Sequence, residues 1–375
     1  MTTGVVLLNF GEPAEPDREA VVDYLHRIFL ANARLESADT EAEREARARE
    51  LAERRAPGLV AEYESIGGSP LAAQAEAQAD ALEAELRDRG FDVSTYVGMQ
   101  YTEPTIPHAV ERARENGVDD LVSLPVFPLC GPSTTVQSLQ DLADATDDLG
   151  WEVPVSELTG WHRHPAYNRL RAENVATFAD ERGVDLDDDG TRLVFSAHGT
   201  PEHYLREGSR YDRYVSEYCA GQAALLGVAD YDLGFQNHEN RDIPWTEPEV
   251  EDVVAGTDAD RVVVEPVSFV HEQSETLSEL DVELREVAED AGVGFHRVPI
   301  PHDDPRLPGL FADLLEPLIA GFDPGYYNLA PCRCREGAVC LNAGSPTGGG
   351  RDADTEGAGA TDAERPTPDG GTEAR

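Results

Sequence analysis

Lysine is absent from this sequence. All 30 basic residues are arginine, they stand against 74 acidic residues, and the formal net charge is −44. A surface of that sign repels polyphosphate and anionic lipid, so no nucleic acid and no acidic membrane is expected as a partner. It also repels itself, and the simplest setting for it is a cytoplasm of very high ionic strength, as in a halophile, where salt screens the charge. Long apolar runs are missing too. Gly4 to Phe10 has no basic residue ahead of it and Glu12 close behind, so it reads as neither a signal peptide nor a transmembrane anchor. No G-x-G-x-x-G follows that run, which excludes the dinucleotide fingerprint. Cysteine is scarce: there are five, three of them between Cys332 and Cys340. In an intracellular chain such clustering points to metal rather than to disulfides.

What is present alternates. Short buried-strand patterns are expected at Gly4–Phe10, Val93–Met99, Asp120–Pro128, Trp151–Leu158, Arg192–Phe195, Tyr231–Gln236, Arg261–Phe269 and Phe295–Ile300. Helical periodicity fills the intervals, notably Arg18–Leu30, Glu41–Arg55, Thr105–Asn116, Pro165–Arg182, Glu207–Leu226, Glu272–Ala291 and Leu307–Ile319. Strand–helix alternation over 375 residues implies an α/β fold of two Rossmann-like, doubly wound domains, with parallel sheets facing a central cleft. The expected divisions are 1–155, 156–303, a final helix with the cysteine cluster over 304–341, and a disordered acidic tail over 342–375, where Gly, Asp, Thr and Pro dominate.

The stretch Arg192 to Tyr204 carries the strongest chemical signal. An apolar run ends in Ser196-Ala-His198, and Gly199 and Pro201 then turn the chain. Ligands in open α/β sheets collect at the carboxyl ends of strands, and an imidazole there accepts a proton near neutral pH or ligates a metal. The plainer alternative is a ring that satisfies a loop carbonyl. The second signal is the row Glu272, Glu275, Glu279 and Glu283, whose spacing of three, four and four predicts one helical face. Such a row passes protons or holds a cation by oxygen, or it is a solvated face in an acidic chain.

These residues sit among motifs that resemble the ferrochelatase family. The resemblance spans Gly4 to about Ile319. It rests on Asn9-Phe-Gly-Glu-Pro13, Arg54-Arg-Ala-Pro57, Tyr63 with Ile66-Gly-Gly-Ser-Pro70, Phe195-Ser-Ala-His-Gly-Thr-Pro201, Phe235-Gln236, Pro244-Trp245 and Glu275-Thr-Leu-Ser-Glu-Leu-Asp281. It implies an enzyme that inserts ferrous iron into a porphyrin, protoporphyrin IX or coproporphyrin III, in haem biosynthesis. It further implies that His198 and Glu275 face the porphyrin centre as catalytic groups and ligands of the Fe2+ substrate. Glu272 and Glu279 would lead protons or metal inward, and Phe10, Tyr63 and Trp245 would lie against the macrocycle. Two positions depart from the pattern: Gln100 stands where Arg is frequent, and Gln273 where His is common.

Cys332-Arg-Cys334-x5-Cys340 is a soft-metal loop that needs a fourth ligand. The resemblance implies a bacterial-type [2Fe–2S] cluster there, with Cys130 as the candidate fourth thiolate; a structural zinc is the alternative. Cys219, in an amphipathic helix, is expected to be a buried apolar residue. Two other functions remain open: a chelatase for cobalt or nickel with sirohydrochlorin, and a non-catalytic haem or iron–sulfur sensor. The length and the Glu275 motif speak against the first, and retention of both His198 and Glu275 against the second.

Overall fold

The computed structural model describes residues 2–32, 40–237, 243–321, 330–331, 335 and 339–340. The expected acidic tail and two of the clustered cysteines, Cys332 and Cys334, lie outside the described residues. No helix among the described residues is long and apolar enough to cross a membrane.

The first sheet is built from β1 (Thr3–Asn9), β2 (Val93–Met99), β3 (Asp120–Pro125) and β4 (Val155–Thr159). It is extended by two short strands, β9 (Ala330–Pro331) and β10 (Val339–Cys340), in the order β2-β1-β3-β4-β10-β9. The second holds β5 (Thr191–His198), β6 (Tyr231–Gln236), β7 (Arg261–Pro266) and β8 (Gly294–Arg297), in the order β6-β5-β7-β8. Every pairing is parallel except β9 with β10. β1 lies between β2 and β3 and is covered on both faces, which is why Val5, Val6, Leu7 and Leu8 run without polar alternation and are fully buried.

The helices that follow β1 make a small core of their own. α1 (Arg18–Asn32) packs on α2 (Glu41–Ile66), whose start is fixed by a capping box between Thr40 and Glu43. α2 runs past the end expected at Arg55 and through Pro57. Beyond that proline, Leu59, Val60 and Tyr63 supply further apolar contacts with α1. The helix stops at Gly67 with φ +79°. Gly68 follows at φ +94°, and a Cβ there would lie 2.1 Å from the Ala14 carbonyl oxygen, so the turn is pressed against the β1–α1 loop. That contact brings the turn before α3 (Leu71–Asp88) next to Glu12.

After α4 (Ile106–Glu115) and α5 (Gln137–Asp148), α6 (Pro165–Arg182) leads to the second sheet. A short α7 (Glu202–Arg206), then α8 (Tyr211–Leu226) and α9 (Val250–Ala255), connect its strands. α6 carries Arg171, 1% exposed, to the end of β7. There its Nε lies 2.8 Å from Glu265 Oε1, its Nη1 donates to the Phe269 carbonyl at 2.9 Å, and its Nη2 bonds Glu265 and the Pro266 carbonyl. The final helix α11 (Leu307–Ile319) lies against α3: Arg89 bonds Asp313 at 2.7 Å and Glu316 at 3.1 Å.

The helix after β7 differs from its expected form. Helical structure begins at Glu275 rather than Glu272, and Glu275–Leu284 is π-helical before α10 (Arg285–Ala291) continues as α-helix. A π-helix closes i→i+5 bonds and turns less per residue, so four-residue steps still keep Glu275, Glu279 and Glu283 near one face, whereas Glu272, which precedes the helix, drops out of the row.

Candidate active site

β5 ends on His198. Its backbone N–H donates to Ser268 Oγ at 2.9 Å, and Tyr211 Oη donates to the His198 carbonyl at 3.0 Å. The ring Nδ1 lies 2.7 Å from the Gly199 carbonyl oxygen, which makes Nδ1 the protonated nitrogen and leaves the lone pair on Nε2. Burial lowers the pKa of His198 below its ordinary value, so the half-buried ring is neutral at neutral pH. Phe269 stands edge-on to it, with ring centroids 6.3 Å apart.

One strand away, Gln236 ends β6 in register with His198. Its Oε1 accepts the Ser196 hydroxyl at 3.0 Å, while its Nε2 donates to the Glu275 carbonyl and to Glu279 Oε2, each at 2.9 Å. A single amide therefore ties the histidine strand to the first turn of the π-helix. Glu275 and Glu279 are both half-buried and both held above the ordinary carboxylate range, first by burial; in Glu279 the charge of Glu275 adds to it.

Glu272 is placed differently from its neighbours in sequence. Because it precedes the π-helix, its carboxylate turns to Arg297, with Nη1 at 2.7 and 2.9 Å, to the Thr276 hydroxyl at 2.6 Å and to the Ile300 N–H at 2.8 Å. Arg297 is shared with Asp281. The expected single row of carboxylates is thus divided. Glu272 anchors the start of the helix to the strand end beside β8, and Glu275 and Glu279 remain with Gln236.

Sequence reasoning assigned no role to Glu12. This carboxyl is 3% exposed, accepts the Ser69 hydroxyl at 2.5 Å and the Ser274 N–H at 3.1 Å, and bonds Ser274 Oγ. Burial, together with the nearby charge of Glu275, pushes its pKa up to about 8. Ser274 Oγ lies 3.1 Å from Glu275 Oε2, and Gln273 Nε2 donates to the same oxygen at 2.9 Å. Gln236 and Arg171 were likewise assigned no role. Arg171 was visible as a charge amid the apolar positions Tyr167, Leu170, Val175 and Phe178 of its helix.

The three aromatic candidates take different places. Trp245 lies beside the histidine turn, because its segment pairs antiparallel with Pro201 and the Thr246 N–H donates to the Thr200 carbonyl at 3.0 Å. Phe10 directly follows β1 and meets Tyr101 edge-on at 4.7 Å. Tyr63 is fully buried in the α1–α2 core and offers no open face; its hydroxyl is raised by burial and by the charges of Glu12 and Glu275. Between the carboxyl ends of the two sheets, the cleft lined by Phe10, Val126, Phe127, Phe269 and Gln273 is narrow, about 10 Å³. A cavity of about 230 Å³ lies elsewhere, lined by Phe178, Arg182, Arg285, Phe295 and Arg297.

Among the described residues, no three His, Cys, Asp or Glu side chains converge as a metal-binding group. Cys130 follows β3 and is 1% exposed within the main core, and Cys219 is fully buried in α8. Cys340 pairs with Thr159 at the end of β4, which brings its backbone to the sheet edge from which the Cys130 loop departs.

The sequence profile of the ferrochelatase family matches residues 2–318. The ferrochelatase of Synechococcus sp. (strain RCC307) is 32% identical over 329 residues, 85% of this chain and 83% of that protein. That of Synechococcus sp. (strain JA-3-3Ab) is 32% identical over 337 residues, 86% and 96%. Among solved structures, SirB from Bacillus subtilis aligns over 86% of this chain and 97% of its own, with 11% identity and a TM-score of 0.47. From its second residue to the end of its last long helix, the chain belongs to the ferrochelatase family.

Proposed function

We propose that this protein inserts ferrous iron into a porphyrin in haem biosynthesis, with His198 and Glu275 as the groups that act on the porphyrin and metal. The observation that carries this is the Gln236 amide, which fixes Glu275 and Glu279 relative to the strand ending in His198. Insertion exchanges two pyrrole N–H protons for one Fe2+. A neutral imidazole with its lone pair on Nε2 accepts one proton. Glu275, held above the usual carboxylate range by burial, has a raised affinity for a proton leaving the ring, and its ionised form is an oxygen ligand for the incoming ion. Glu279, next on the π-helix and hydrogen-bonded to Gln236, passes protons onward, whereas Glu272 serves as an anchor. Phe10 and Trp245 offer flat apolar surface to the macrocycle, and Tyr63 supports that wall from behind. Arginines and backbone N–H groups receive the propionates, since lysine is absent. The narrow cleft has to open to admit the ring.

The C-terminal cysteines would hold a [2Fe–2S] cluster through Cys332, Cys334, Cys340 and Cys130. The shared sheet edge of Cys340 and the Cys130 loop fits this; the core position of Cys130 requires its loop to turn outward. The cluster would brace the C-terminal segment against the first sheet. Anaerobic protein should be brown, and Ser at position 130 should abolish the colour; colourless protein with one zinc would replace this assignment. The charge of −44 and the lack of lysine support a cytoplasm of high salt as its place of work. The test of the function is an anaerobic assay in molar salt with ferrous iron and either protoporphyrin IX or coproporphyrin III, following the Soret band. Metalloporphyrin from one of them is expected. Turnover of sirohydrochlorin alone would reassign the substrate.

A further inference from the structure

Glu12 joins two parts of the chain that are distant in sequence. Ser69, which it accepts at 2.5 Å, belongs to the glycine turn before α3, and Ser274 immediately precedes the π-helix of the second half. Ser274 engages it twice, through its N–H and its hydroxyl. No Arg or His among the described residues forms an ion pair with Glu12; its carboxyl, 3% exposed, is met by the Ser69 and Ser274 hydroxyls and the Ser274 N–H, with the Tyr63 hydroxyl close by. Burying a carboxyl without a cation costs heavily, and an apolar side chain would fill the same space at less cost. What an apolar residue cannot do is fix Ser274 in orientation. The residue after Ser274 is Glu275, and Ser274 Oγ is within 3.1 Å of its carboxylate.

We propose that Glu12 is a positioning residue for iron insertion, latching the first turn of the π-helix to the first half and thereby setting where Glu275 presents its carboxylate. The latch is tight at both ends. The Gly68 backbone abuts the Ala14 carbonyl on one side, and Gln236 holds the Glu275 carbonyl on the other. The inference rests on the reading of Glu275 as a reacting group. It adds a residue that bears on turnover rather than on porphyrin affinity, because none of its hydrogen bonds reaches the Phe10 or Trp245 surfaces.

The test compares parent, Glu12→Ala, Glu12→Gln, Ser274→Ala and Glu12→Gln/Ser274→Ala, all full-length and in the same salt. Folded fraction is measured by melting and porphyrin affinity by fluorescence quenching. In Glu12→Ala, kcat per folded molecule should fall about 10–100-fold, the range for outer partners of a reacting group, while KM for porphyrin stays within about twofold. Glu12→Gln keeps one oxygen acceptor and should fall between Ala and the parent. The double variant should be no slower than the slower single, since both act through one contact. A Glu12→Ala enzyme as fast as the parent would overturn the proposal. So would a loss that merely tracks the unfolded fraction, or additive losses in the double variant. An inert parent would instead overturn the reading of the enzyme, and this proposal with it.

Discussion

Arg171→Met removes a guanidinium from a place where water cannot replace it. Arg171 is 1% exposed and Glu265 fully buried, and the same side chain serves the carbonyls of Pro266 and Phe269. Breaking a buried pair from one side costs about 3–5 kcal/mol, and each carbonyl left without a donor adds about 1 kcal/mol. The expected destabilisation is therefore about 5–7 kcal/mol. Even with Arg171 in place, burial holds Glu265 above the usual carboxylate range. In the variant it rises further, so the loss should be smaller at low pH, where the carboxyl is already protonated, and should grow as pH increases. Removing both partners, as in Arg171→Met/Glu265→Met, deletes the uncompensated charge and should recover all but about 1–2 kcal/mol, the share of the two carbonyls. Urea denaturation at fixed salt, read by far-ultraviolet circular dichroism, measures all three proteins. A single variant within about 1 kcal/mol of the parent, or a double variant no better than the single, would refute the reasoning.

Two further outcomes follow from the same electrostatics. Glu12 has an ordinary pKa of 4.5 unfolded and about 8 folded, so its contribution to stability is complete below pH 4.5 and is lost as pH rises through 8. That contribution is at most about 5 kcal/mol. Glu275 and Glu279 act in the same direction, whereas His162 and His271, pushed down to about 3 by burial, erode stability as pH falls below 6.5. Glu12→Gln should thus flatten the fall in stability between about pH 4.5 and 8 and leave the histidine-driven loss toward acid pH in place; an unchanged slope between pH 4.5 and 8 would contradict the assignment. Diluting salt from 1 M to 0.01 M stretches the screening length from about 3 to about 30 Å and should lower the melting temperature sharply, whereas a temperature indifferent to salt would remove the high-salt reading.

The parts of the site legible in the sequence were those where a local pattern carries the chemistry. An apolar run stopping at His198 before Gly199 and Pro201 reads as a strand end, and β5 extends to include that histidine. Pro165–Arg182, Val93–Met99, Tyr231–Gln236 and Leu307–Ile319 were readable to the residue, because buried strands and amphipathic helices have their own periods. The π-helix was not: a carboxylate spacing of three and four is what an α-helix would show, and nothing in composition marks i→i+5 bonding. Glu12 was hidden by its company. One glutamate among 74 acidic residues looks solvated until Ser69 and Ser274, far away in sequence, close over it. Gln236 shows why a neutral residue is hardest to find, since its role consists only of the three groups it bonds.

The central claim is that metal enters the porphyrin between His198 and Glu275, and single-turnover metallation tests it most directly. Parent, His198→Ala and Glu275→Gln are loaded with porphyrin, mixed anaerobically with ferrous iron in molar salt, and followed at the Soret band. Porphyrin affinity is measured separately by fluorescence quenching. Loss of a general base or a charged ligand should slow metallation at least about a hundredfold in either variant, while porphyrin binds nearly as in the parent. Metallation by His198→Ala at close to the parent rate would contradict the account.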